Sequence, residues 1–333
     1  MPFIRTLLLL LMIGAACARG VETAANPETV AWVPVTHIMT SLGLTQVEHL
    51  ADGLLLSNVS HSVHLFAGRR SMTIDGATAW LHLPPRDATT NDLRDVARVD
   101  FETLLQPILL ATSGPPAGLR IVLDAGHGGD DTGARSAAPE IREKDVALDI
   151  THLVAAQLTA AGQHVFLSRP RDAFETLGDR TRFAAAHQAQ VFVSIHANSA
   201  RSNQLAMGAE TYILPAHGFA GTDAGNGLTN ACAGNRFDAA NARLGFSIHR
   251  RCAPLTGMDR GLKRARYFVL KEAPCPAVLV ECGFLTNTND TTRLGDPAYR
   301  RNLADAIAAG ILDYTRLSPP RDLPPAANAA CRP

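Results

Sequence analysis

Between about residues 120 and 314, apolar residues alternate between short continuous runs and runs spaced three and four apart. That alternation predicts strands and helices in turn. Residues 120–123 read as a strand. Residues 144–161 read as a helix with Val146, Ile150, Leu153, Val154 and Leu158 on one face and a stop at Gly162. Residues 164–167, 191–195 and 209–214 follow as strands, with a helix over 177–188 between the first two. Residues 238–251 have helical spacing through Ala242, Leu244, Ile248 and Arg251; 267–270 and 277–280 read as further strands. A last helix over 299–314 aligns Leu303, Ile307, Ile311 and Tyr314. Alternating strands and helices predict an α/β layered domain with a largely parallel, helix-flanked sheet.

The stretch before it, 27–112, has a different pattern. Residues 30–44 read as a helix or as a strand followed by a helix, and 53–56, 63–66, 71–74 and 77–83 read as strands. Asp75-Gly76 between the last two is a strong two-residue hairpin signal. Phe101, Leu104, Leu105 and Ile108 have helical spacing. A small α+β accessory module is therefore expected over 27–112, a Gly/Pro-rich linker over 113–118, the α/β domain over 119–316, and a disordered Pro/Ala-rich tail over 317–333. No internal repeat is evident.

Composition then narrows the setting. With 46% apolar residues in 333, the chain can bury sizeable cores. Thirty-one basic residues balance 31 acidic ones, so the global field does not draw polyanions and no nucleic-acid partner is expected. The N-terminus carries Arg5, an apolar run over 6–13 too short to span a bilayer, and the small-residue ending Ala16-Cys17-Ala18, which predicts a signal peptide over 1–18. Gly14-Ala-Ala-Cys17 also resembles a lipoprotein cleavage box, so membrane attachment is expected only if Cys17 is lipidated. Export to the periplasm or cell envelope permits disulfides, and Cys232, Cys252, Cys275 and Cys282 allow three pairings. None has the C-x-x-C spacing of a structural zinc cluster.

In parallel sheets, sites gather at the carboxyl ends of strands. His127 follows the first strand between Gly126 and Gly128, His196 ends the third, and Glu281 ends residues 277–280. A single histidine is ordinarily a satisfied or exposed side chain. Two at strand ends, each followed by small or polar residues, instead suggest a metal site, and a catalytic zinc that keeps one position open needs a third ligand. Glu143, at the start of the first long helix, is a candidate for it, although a carboxylate there is equally accounted for by the helix dipole. His61, His64 and His82 alternate along strand-like runs and read as surface or packing residues.

Eight motifs carry a family resemblance: Asp124-Ala-Gly-His-Gly-Gly129, Arg142-Glu-Lys-Asp145, Ser168-Arg169, Leu177-Gly-Asp-Arg180, Ser194-Ile-His-Ala-Asn198, Gly208-Ala-Glu-Thr-Tyr212, Asp259-Arg-Gly-Leu-Lys263, and the run from Pro276 to Asn287 containing Glu281-Cys-Gly-Phe284. Their order resembles that of the zinc-dependent N-acetylmuramoyl-L-alanine amidases of the family-3 type. The resemblance implies one zinc ion held by His127, Glu143 and His196, with Glu281 as acid/base. It further implies peptidoglycan as substrate, cut at the amide between N-acetylmuramic acid and L-alanine; a protein activator is an open further partner that the sequence does not decide. A stem-peptide zinc peptidase and a non-catalytic wall-binding module are the alternatives.

Asn198, Glu210, Arg260 and Lys263 are candidate substrate contacts, although solvated charge is the simpler expectation for the last three. Arg169 and Arg180 are expected to pair with carboxylates inside the fold. Cys282 is expected to point away from Glu281, and residues 200–240, polar and glycine-rich, are expected to form a mobile loop. The N-terminal module resembles the N-terminal domain of copper amine oxidases and is assigned no catalytic role.

Overall fold

A computed structural model describes residues 30–87, 94–113, 118–137, 139–223 and 230–318. The expected leader with Cys17, residues 114–117 of the linker and residues 319–333 of the tail lie outside the described residues.

Eleven strands among these residues form one sheet. In chain order they are β1 (Gln46–Leu50), β2 (Gly53–Ser57), β3 (Ser62–Phe66), β4 (Ser71–Ile74), β5 (Ala77–Trp80), β6 (Arg120–Ala125), β7 (His164–Leu167), β8 (Val191–Asn198), β9 (Ala209–Ile213), β10 (Asp259–Arg264) and β11 (Ala277–Phe284). Across the sheet the order is β7-β6-β8-β11-β9-β10-β5-β4-β3-β2-β1. Strand β6 pairs in parallel with β7 and β8, β8 with β11, and β9 with β10, so the C-terminal portion is largely parallel as its alternating pattern predicts. One seam, β9 against β11, is antiparallel.

The N-terminal strands β1 to β5 form an antiparallel meander. Asp75 and Gly76, at φ 49° and 81°, make the positive-φ hairpin between β4 and β5 that their sequence predicts. Strand β5 then lies parallel to β10 through Ala79 and Leu262. The meander therefore continues the α/β sheet.

The helices are α1 (Val35–Leu42), α2 (Glu143–Ala160), α3 (Leu177–Ala186), α4 (Asp238–Cys252), α5 (Phe268–Lys271), α6 (Thr288–Gly295) and α7 (Pro297–Thr315), with a further helical stretch over 98–109. Period-two alternation sorts the sheet into two faces. On one face Ile121, Leu123, Val193, Ile195, Val278, Val280 and Cys282 pack with Val146, Ile150 and Val154 of α2, Leu244 and Ile248 of α4, and Leu303 and Ile307 of α7. The same core takes in Phe101, Leu104 and Leu105 of the module. On the other face Val122, Phe192, Tyr212 and Leu279 pack with Ala184 of α3 and Val269 and Leu270 of α5. Those two helices are short, so they cover only part of their face. The remainder, toward the carboxyl ends of β6, β8 and β11, carries the candidate site.

Three expectations need correction. Residues 267–270 do not form a strand; Phe268–Lys271 is the helix α5. A four-residue apolar run has no period by which to choose. The strand in that region is β10, whose Asp259, Arg260, Lys263 and Arg264 conceal any apolar pattern because their charges are paired inside the protein. Cys252, Cys275 and Cys282 are buried free thiols, so none of the three pairings forms. Among the candidate contacts, Glu210 and Lys263 are buried and ion-paired rather than solvated. Cys282, in contrast, lies in the core on the face opposite Glu281, as expected.

Candidate metal centre and catalytic groove

Strand β6 ends at Ala125 and the chain turns at once through Gly126, His127, Gly128 and Gly129. His127 itself adopts a left-handed φ of 59°, a conformation that costs a side-chain-bearing residue free energy and must be held by its surroundings. Two buried arginines hold it. Arg169 donates from Nε to the Ala125 carbonyl at 2.8 Å and from Nη2 to the Gly126 carbonyl at 2.7 Å. Arg180 donates to Asp124 Oδ1 (2.7 Å), the Ala125 carbonyl (2.6 Å) and the His127 carbonyl (2.7 Å). Asp124 also accepts from Ser194 on β8 and from Ser168 just past the end of β7. The expected carboxylate pairing thus holds for Arg180, whereas Arg169 works on backbone carbonyls.

The loop brings His127 to His196 and Glu143. Glu143 Oε1 lies 3.0 Å from His127 Nε2 and 2.8 Å from His196 Nδ1. One ligand atom from each of the three residues falls within 4.8 Å of the others. The glycines make room: a Cβ on Gly126 would lie 2.3 Å from the His196 ring, and one on Gly133 would lie 2.5 Å from Glu143 Oε2. The far nitrogen of His127, Nδ1, is 2.8 Å from Asp131 Oδ2, a carboxylate backing of the kind that fixes the tautomer of metal-binding histidines. Glu143 Oε2 accepts from Ala134 N–H and Oε1 from Ala197 N–H, which locks the carboxylate in place.

Electrostatics agree with this arrangement. Burial works against ionisation of Glu143, but hydrogen bonds and charge from His127 and His196 outweigh it and hold the carboxyl well below the usual range. For His127, burial works against the imidazolium, and Glu143 and Asp131 outweigh it, raising its pKa. Two imidazole nitrogens and one carboxylate oxygen, converging from rigid strand and helix ends with a carboxylate behind one imidazole, are a donor set that fits zinc with a position to spare.

Glu281 stands beside this cluster on β11, paired in register with His196 of β8. Burial, then the charges of Glu143 and Glu210, push its carboxyl well above the ordinary glutamate value. Its Oε2 is buried with no hydrogen-bond partner among the described residues. A groove of about 420 Å³ opens onto His127, His196 and Glu281, and Phe174, Leu177, Tyr267 and Phe268 line its sides with partly exposed apolar surface. Sequence reasoning missed this apolar rim and Asp131; the latter had a signal, an acid four residues after His127 in a glycine-rich loop.

The remaining candidates form one cluster next to Glu281. Glu210, opposite Glu281 on β9, accepts from Asn198 Nδ2 (2.9 Å), Tyr212 Oη (2.7 Å), Arg260 Nε (2.6 Å) and Lys263 Nζ (2.8 Å). Four donors leave Glu210 fully engaged. Although buried, it is kept ionised by Lys263 and Arg260. Asp223 adds a second acid, 3.3 Å from Lys263 Nζ.

An α/β sheet that gathers two histidines and a glutamate able to hold a metal ion, with a second glutamate beside them, has the layout of a hydrolytic site. Residues 121–313 match the N-acetylmuramoyl-L-alanine amidase family model, and the chain belongs to that family. It is 34% identical to the uncharacterized protein YqiI of Bacillus subtilis (strain 168), over 66% of this chain and 96% of that one. With the N-acetylmuramoyl-L-alanine amidase LytC of the same organism it shares 36% identity, over 61% of this chain and 36% of LytC. Among solved structures, AmiC2 of Nostoc punctiforme is 32% identical with a TM-score of 0.50, covering 60% of this chain and 98% of that one. The N-acetylmuramoyl-L-alanine amidase of Clostridium difficile 630 is 30% identical with a TM-score of 0.51, covering 59% and 96%.

Proposed function

We propose that the protein is an exported, zinc-dependent hydrolase of the amide bond between N-acetylmuramic acid and L-alanine in peptidoglycan. The observation that carries this reading is the convergence of His127, Glu143 and His196 with a buried, proton-holding Glu281 at their side. His127, Glu143 and His196 would hold the zinc. When bound, the ion lowers the pKa of a water and polarises a carbonyl. Glu281 takes the proton of the attacking water and delivers it to the nitrogen of the leaving L-alanine, because an amide anion cannot depart unprotonated. A carboxyl with a raised pKa suits both halves of that task. Asp131 keeps the His127 ring oriented, and Arg169 and Arg180 hold its loop. Peptidoglycan places the working enzyme in the cell envelope, in keeping with the signal-like N-terminus; the lipidation reading of Cys17 would tether it there.

Digestion of purified peptidoglycan followed by mass analysis tests the assignment. Free stem peptides beginning with L-alanine are expected, lost on complete chelation and restored by zinc. Cleavage at another bond, or full activity after metal removal, refutes it.

A further inference from the structure

Among its described residues the accessory module has no catalytic cluster of its own, yet its strand β5 borders the wall of the site. Strand β10 carries Arg260 and Lys263, and its outer edge is bordered by β5 of the module. Four contacts fasten the two. Thr78 N–H donates to Asp259 Oδ2 at 2.7 Å, the Trp80 indole N–H donates to the Arg260 carbonyl at 3.0 Å, and Arg264 Nε donates to the Trp80 carbonyl at 3.3 Å. The Lys263 ammonium lies 5.8 Å from the Trp80 ring centre, within cation–π range. Gly261 makes the approach possible: at φ 94°, a Cβ there would lie 2.7 Å from Trp80 Nε1.

These contacts lead inward to a single carboxylate. Arg260 and Lys263 both donate to Glu210 Oε1, and Glu210 faces Glu281 across the antiparallel seam. A second route runs from Asp259 Oδ1 to His249 Nε2 at 2.8 Å, and from His249 Nδ1 to the Thr211 hydroxyl at 3.1 Å, one residue from Glu210. The solved relatives AmiC2 and the Clostridium difficile amidase align over nearly their whole length with about three-fifths of this chain, so the family's domain can exist without such a module. In this chain the edge of that domain is instead held from outside.

We infer that the N-terminal module is a structural part of the active site, and that Trp80 is a positioning residue that sets Arg260 and Lys263 against Glu210 and thereby fixes the wall beside Glu281. The inference rests on the amidase reading for its kinetic arm. Loss of one hydrogen bond at the seam corresponds to roughly a five- to tenfold effect.

The test uses the full chain with Trp80→Phe, which removes the indole donor and keeps a ring, and Trp80→Leu, which removes both. With a soluble muramyl peptide as substrate, Trp80→Phe is expected to lower kcat about five- to tenfold, and Trp80→Leu further, with KM within about twofold, bound zinc as in wild type and a melting temperature that, though lowered by the lost seam contacts, stays well above the assay temperature. A second arm needs no turnover. The chain has two tryptophans, so in a Trp32→Phe background Trp80 is the sole emitter, and Glu210→Gln or Lys263→Met is expected to shift its emission and its quenching by acrylamide. Wild-type kcat in Trp80→Leu overturns the inference, as does a fall in kcat matched by an equal loss of bound zinc or of folded protein at the assay temperature, or emission unmoved by both inner substitutions. If the wild type releases no L-alanyl peptides, the amidase reading fails while the emission arm still decides the coupling.

Discussion

Glu281→Gln sets stability and activity against each other at one atom. The wild-type carboxyl is buried, has an oxygen without a hydrogen-bond partner among the described residues, and faces the charges of Glu143 and Glu210. All of this favours its protonated form. Its folded-state pKa therefore lies above the ordinary value of 4.5, so proton binding supports the native state fully below that value, and the support drains away as pH rises through the folded pKa. The amide is neutral throughout. At pH 8 the wild-type chain must either keep a proton that its unfolded form has released or bury a poorly solvated charge; the substitution removes that cost, about 1–3 kcal/mol or more, and a catalytic domain of this size gains about 2–4 °C in Tm per kcal/mol. At pH 4 the two proteins are expected to melt together. The comparison belongs in the chelated protein, where the Glu143 charge is not compensated.

The same change removes the group proposed to carry the proton between water and leaving amine. General acid–base catalysis contributes about 10²–10⁴ in rate, so kcat on a muramyl peptide is expected to fall by that factor while zinc content stays at wild-type level. Calorimetric scans across pH and steady-state kinetics on one preparation decide the matter. A kcat within tenfold of wild type, or a variant less stable than wild type at pH 8, would refute the reasoning.

Two further substitutions probe the supports. Arg180→Lys replaces a fork that reaches Asp124 and the carbonyls of Ala125 and His127 with a single point donor, leaving buried acceptors short of partners. Zinc affinity, read by competition with a chromophoric chelator, is expected to weaken about 10- to 100-fold; unchanged affinity would show that the His127 loop needs no such brace. Asp238 at the start of α4 has its pKa pushed up to about 6, by burial first, against the opposing pull of Asn235, Arg264 and Arg266. Its contribution is full below about 3.8 and lost as pH rises through 6. Asp238→Asn is accordingly expected to melt above wild type at pH 7.5, with the gap closing by pH 4; a constant gap would assign the effect to the Asn235 hydrogen bond instead.

Much of the fold is legible along the chain because each long element has one face in a continuous core. The period of Val146, Ile150, Val154 and Leu158 marks α2 to within a residue, and the glycines after Leu123 mark the end of β6. Legibility fails where polarity and burial part company. Strand β1 is exposed at Gln46, Val47, Glu48 and His49, so it has no apolar alternation to read. Strand β10 is charged yet internal, because its charges find partners on β9, α4 and the module, which lie far away in sequence. For the same reason Glu210 and Lys263 look like solvated residues in the sequence and are buried in the structure.

The candidate site shows the same division. Strand ends select His127, His196 and Glu281 from local pattern alone, but pattern cannot say which glutamate, 143 or 281, takes which part. The two environments differ in the direction the proposed roles require. Glu143 lies between two imidazoles and accepts two backbone N–H groups, so its charge is stabilised and its proton is lost. Glu281 is as deeply buried but faces other carboxylates and keeps one oxygen bare, so its proton is held. Carboxylates whose surroundings drive their pKa values apart divide into one that stays an anion and one that trades a proton. A ligand must be the first kind and an acid/base the second, and Glu143 and Glu281 fall on opposite sides of that line.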